Sequence, residues 1–66
     1  MTREVTKQQF DNWIDAHPQK LTKGEHPKNT PPMTYWQTDR GGIVALYTTD
    51  SSTNPPTIKY FVCSYG

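Results

Sequence analysis

The stretch MTYWQTDRGGIVALYTTDSSTNPPTIKYFVCS, residues 33–64, decides the fold. It holds three runs rich in β-branched and aromatic residues, separated by two turn-forming segments. The first run is about Met33 to Thr38, the second Ile43 to Thr49 and the third Thr57 to Ser64. Asp39-Arg40-Gly41-Gly42 divides the first pair, with two glycines that take positive φ without a steric penalty. Asp50 to Pro56 divides the second pair. Connections this short favour antiparallel pairing of sequential strands. Residues 33–65 therefore predict a three-stranded β-meander.

Upstream, Thr6 and Gln9 form a capping-box pattern, with Val5 and Phe10 at the two positions of a hydrophobic staple. Phe10, Trp13, Ile14 and His17 follow at i, i+3, i+4 and i+7, one stripe of a helix. Pro18 stops it, because the residue before a proline is pushed out of the α region. The predicted helix spans about residues 7–16. Residues 18–32 contain four prolines and Gly24, with Leu21 the one strong apolar residue before Met33, and read as a loop. The expected fold class is α+β in the order α-β-β-β, one domain over residues 1–66, with the helix across one face of the meander. Phe10, Trp13, Ile14, Val44, Leu46, Ile58, Tyr60 and Val62 make up the expected core.

Alternation along the strands divides side chains between two faces. Val44 and Leu46 oppose Ile43, Ala45 and Tyr47; Ile58, Tyr60 and Val62 oppose Lys59, Phe61 and Cys63; Tyr35 opposes Trp36. Both faces are thus apolar, whereas a sheet wet on one side alternates cleanly. A helix of ten residues is about 15 Å long and covers one face. The second face needs the proline-rich loop, a second copy of the chain or another partner. Large exposed apolar patches mark interaction sites. Tyr35, Trp36, Tyr47, Phe61 and Tyr65 are the candidate partner-binding residues, with Tyr35 and Trp36 on an expected edge strand the first targets for substitution.

Composition limits the alternatives. Sixty-six residues with 32% hydrophobic content and mean hydropathy −0.89 allow only a small core. A lone cysteine, Cys63, forms no intrachain disulfide. With His17 and His26 it matches no zinc spacing, so no metal or cofactor is expected. Net charge is +1, too little for strong nonspecific phosphate binding. The alternative partner is single-stranded nucleic acid, stacked on sheet aromatics and met by Lys20, Lys23, Lys28, Arg40 and Lys59. No nucleophile elbow, phosphate loop or metalloprotease helix motif occurs. His17 reads as a residue of the helix C-terminus, His26 as a solvated loop residue, Asp11 and Asp15 as a solvated helix face, and Asp39 and Asp50 as turn formers. The polar start at Met1–Val5 carries no signal-peptide core and no apolar run is long enough to span a bilayer, so a cytoplasmic location is expected. The expected function is non-enzymatic: protein–protein binding, to another protein or a second copy, of the small regulator or inhibitor type that phages and mobile elements often encode.

Overall fold

The computed structural model describes residues 2–63. Its elements are β1 (Thr2–Val5), α1 (Lys7–Asp15), β2 (Thr22–His26), β3 (Met33–Gln37), β4 (Ile43–Asp50) and β5 (Thr57–Cys63). The five strands form one antiparallel sheet in the order β1-β5-β4-β3-β2. The expected α-β-β-β meander is therefore corrected: the order is β-α-β-β-β-β. The three predicted strands are present as β3, β4 and β5, and the outer two, β3 and β5, each gain a neighbour that periodicity did not reveal. β1, read as the lead-in to the helix, pairs with β5 from Thr2↔Cys63 to Val5↔Tyr60. β2, read as part of a loop over residues 18–32, pairs with β3 from Thr22↔Gln37 to His26↔Met33.

The reason for the miss is the edge position. Edge strands carry charged side chains and glycine, which discourage further pairing, and they lack an apolar stripe. TREV and TKGEH fit that description. Neither would hold together alone; the backbone ladder of β5 and of β3 recruits them. β3 in consequence is an interior strand and not the expected edge.

The helix forms as its start signals predict. The Thr6 hydroxyl accepts from the Gln9 amide at 3.2 Å, and the Gln9 side chain accepts from the Thr6 amide at 3.0 Å. Val5 packs on the core beside Phe10, as a staple requires. Ala16 caps the other end, its amide donating to the Asn12 carbonyl at 3.0 Å while the next amide, of His17, donates to the Ile14 carbonyl at 3.2 Å. β1 and β2 occupy opposite edges of the sheet, so the helix and residues 16–21 must cross one face to join them.

That crossing selects the core. Phe10, Ala45 and Val62 form the buried cluster, with Trp13, Ile14, Trp36, Tyr47 and Tyr60 packed against it. Ala45 is opposite Val62, and Tyr47 opposite Tyr60, so these four share the helix face. The expected core set is corrected accordingly. Leu46 lies on the other face, Ile58 is 44% exposed, and Ala45 at 0% is the most buried residue named. Val44 is buried, but at a β-bulge: Trp36 pairs with Ala45 and Gln37 with Ile43, which leaves Val44 without a partner on β3. The strand 43–47 is apolar on both sides, so alternation alone gave no mark for choosing a face, and a one-residue shift exchanges the two sets.

The turns follow their residues. Gly41 takes φ +83°, while Gly42 does not use that freedom. The Thr38 amide donates to the Gly42 carbonyl at 2.9 Å and the Gly41 amide to the Thr38 carbonyl at 2.9 Å, which closes the β3–β4 turn. Asp50 opens the β4–β5 loop by accepting from the Ser52 amide (2.9 Å) and hydroxyl (2.6 Å). These two bonds hold its carboxyl below the usual value. Pro31 and Pro32 sit with Thr49, Asp50 and Ser51 at one end of the sheet, and the Pro32 carbonyl accepts from Thr49 at 3.0 Å.

Candidate interaction surfaces

The sheet offers two surfaces of different character. On the face away from the helix, cross-strand pairing lines up Tyr35↔Leu46 and Leu46↔Phe61. This places an aromatic, an aliphatic and an aromatic side chain in one row across β3, β4 and β5. Gly24 extends the row onto β2 and Glu4 onto β1. All three apolar members are half-buried: they shield one another and still meet solvent. Met33, also half-buried, widens the row along β3, while Cys63 lines a cavity with Trp13, His17 and Pro18. The rim is polar, with Thr2, Glu4, Thr22 and Lys59 exposed.

Tyr35 is held in place by its neighbours on β2. A Cβ at Gly24 would overlap the far end of the Tyr35 ring, so the absent side chain makes room for that ring to lie over the edge strand. His26, two residues on, stacks on the same ring with centroids 4.9 Å apart and planes 23° from parallel. The expectation of a loop histidine is thus corrected: His26 ends a strand and stacks on an aromatic, while its side chain stays exposed to solvent as expected.

On the helix face, α1 roofs the sheet incompletely. Phe10 meets Trp36 at 5.3 Å and Tyr47 at 6.2 Å, both near perpendicular, and Tyr60 at 5.1 Å. Trp36, Tyr47 and Tyr60 lie side by side, at 5.9 and 5.8 Å, with their planes tilted by 43° and 47°. Beside Phe10 they floor an open groove of about 470 Å³, walled on the helix side by Lys7, Asp11 and Asp15. Lys7 donates to Asp11 at 2.9 Å, and this bond raises the lysine pKa. Asp11 and Asp15 are four apart on one helical face and repel each other, and the Lys7–Asp11 pair, itself at i,i+4, offsets that repulsion.

The five residues expected to form one partner surface are therefore divided. Tyr35 and Phe61 share the open face; Trp36 and Tyr47 belong to the groove; Tyr65 lies outside the described residues. Leu46, assigned to the core on sequence grounds, is the centre of the open row. Consecutive strand residues point to opposite faces, so Tyr35 and Trp36 had to separate.

The basic residues do not gather. Lys20 and Arg40 flank the end of the sheet where β2 begins and β3 ends, and Lys28 lies in the turn at the opposite end. Lys23 stands over the Trp36 ring at 5.7 Å, and Lys59 is the one of the five on the open face. His17 accepts from the Gln19 amide at 3.2 Å through Nδ1 and packs near Trp13. Cys63 is half-buried, its Sγ 3.5 Å from the Thr2 hydroxyl. Among the described residues, no three of His, Cys, Asp and Glu come together as a metal site would require, and no helix is long and apolar enough to cross a membrane. Compared with known protein families, curated proteins and solved structures, the chain matches none.

Proposed function

We propose that this chain is a non-enzymatic interaction protein, of the regulator or inhibitor type, that binds another protein through the open face of its sheet. The observation that carries the reading is the row Tyr35–Leu46–Phe61: three large apolar side chains, aligned across adjacent strands, on the face opposite the chain's helix. An apolar centre inside a polar rim is the anatomy of a protein contact. Five strands spaced by about 4.8 Å give a face roughly 20 Å wide, and strands of this length make it about as long. Its flat area, about 400–500 Å² on each partner or roughly 800–1,000 Å² in total, corresponds to a weak, transient contact. The occupant is accordingly a protein surface that is flat and apolar, and a second copy of the chain qualifies.

The basic residues are spread over both faces and both ends, which gives the nucleic-acid reading no single basic surface. The test uses Phe61→Thr and Leu46→Thr, which keep a strand-forming side chain while removing the apolar contact. Both variants keep the far-ultraviolet spectrum of the parent and lose partner binding or self-association, read by light scattering and by retention on the immobilised chain. Association that falls steeply with added salt, or binding unchanged by both substitutions, contradicts the proposal.

A further inference from the structure

The groove on the helix face has a chemistry that the open face lacks, and it stands whether or not that face binds a protein. Its floor holds three electron-rich rings, Trp36, Tyr47 and Tyr60, tilted by 43° and 47° from one to the next. Aromatic faces attract cations, most strongly where water is partly excluded. The chain already shows this preference, because Lys23 places its ammonium over Trp36. The helix wall adds negative charge. Asp11 is engaged by Lys7, and among the described residues Asp15 takes part in no ion pair. Asp15 also closes α1, whose last turn holds no basic residue to offset the negative end of the helix dipole. Ile58, 44% exposed at the groove, supplies an apolar contact for the stem of a long side chain.

We propose that this groove receives an arginine side chain of a partner polypeptide, with its guanidinium against Trp36, Tyr47 and Tyr60 and paired with Asp15. Guanidinium is favoured over ammonium because it is planar, weakly hydrated, stacks on rings and meets a carboxylate through two parallel donors. A groove of about 470 Å³ admits such a side chain together with part of its backbone.

The experiment titrates the intact chain with N-acetyl-arginine methylamide and, separately, with the uncharged citrulline analogue, followed by NMR. The arginine probe shifts the Trp36 indole N–H, the Ile58 methyls and the Tyr47 and Tyr60 rings in a saturable way, and citrulline binds at least about fivefold more weakly, as loss of a cation–ring contact implies. Asp15→Asn, an exposed substitution that leaves the fold intact, weakens the arginine probe by a similar factor, while Arg40→Ala leaves it unchanged. Equal shifts from arginine and citrulline, shifts confined to the opposite face, absence of saturation, or an Asp15→Asn variant that binds as the parent does would each overturn the assignment. None of these outcomes touches the Phe61 and Leu46 variants, so the two readings fail separately.

Discussion

The chain contains two phenylalanines, and truncating each should have opposite consequences. Phe10 is 2% exposed and meets three other rings. A buried aromatic removes roughly 150–250 Å² from water. At about 25 cal/mol per Å² that is roughly 4–6 kcal/mol, an upper bound set by the extended-chain reference. Substitutions of buried phenylalanine by alanine cost about 3–5 kcal/mol. A 66-residue chain has roughly 3–10 kcal/mol in total, at about 0.05–0.15 kcal/mol per residue. Phe10→Ala therefore removes from a third of the stability to all of it. Phe10→Leu, which keeps most of the volume and loses the ring geometry, costs about 1–2 kcal/mol. Phe61, half-buried on an open face, leaves no closed cavity when shortened, so its variant remains folded. Urea titrations followed by circular dichroism and by tryptophan fluorescence give all three values. A Phe10→Ala variant that loses less than about 1 kcal/mol would refute the placement of Phe10 at the centre of the core.

Three further outcomes follow from particular contacts. Thr6→Ala breaks the capping box and destabilises the chain by about 1 kcal/mol, seen in denaturation and in faster amide exchange over the first helical turn. Gly24→Ala forces Tyr35 off β2 at a cost of about 1–3 kcal/mol, and a double-mutant cycle with Tyr35→Ala shows strong coupling, because removing the ring removes the overlap. Asp50 titrates below its ordinary value of 3.8 in the folded chain because of the Ser52 bonds. A depressed folded pKa stabilises the fold above the unfolded pKa and ceases to do so as pH falls through the folded one. Stability measured from pH 6 downward therefore declines below about pH 4, and Asp50→Asn declines less over the same window.

The helix was legible because its start is written twice, as Thr6–Gln9 and as Val5–Phe10, and both signals are local. β4 and β5 were legible from their β-branched and aromatic residues. β1 and β2 were not, because an edge strand draws its order from the ladder beside it: Thr22-Lys23-Gly24-Glu25-His26 contains no apolar residue, and only the backbone of β3 makes it a strand. Gly24 was a signal of a different kind, a site of close approach, whose meaning depends on where the Tyr35 ring lies. The choice of core face was hidden by Ile43 to Tyr47, where either parity is apolar. It is fixed in space by α1, which lays Phe10 on Ala45 and Val62 and so leaves Leu46 outside. The candidate site shared the same ambiguity: residues expected on one surface lie on two.

Everything proposed for the open face rests on the Tyr35–Leu46–Phe61 row binding protein. Its most direct measurement is multi-angle light scattering and partner retention on matched preparations of the parent, Phe61→Thr and Arg40→Ala, all confirmed folded. The parent and Arg40→Ala should associate equally, and Phe61→Thr should not. A parent that stays a lone monomer and retains nothing, or a Phe61→Thr variant that associates as the parent does, would contradict it.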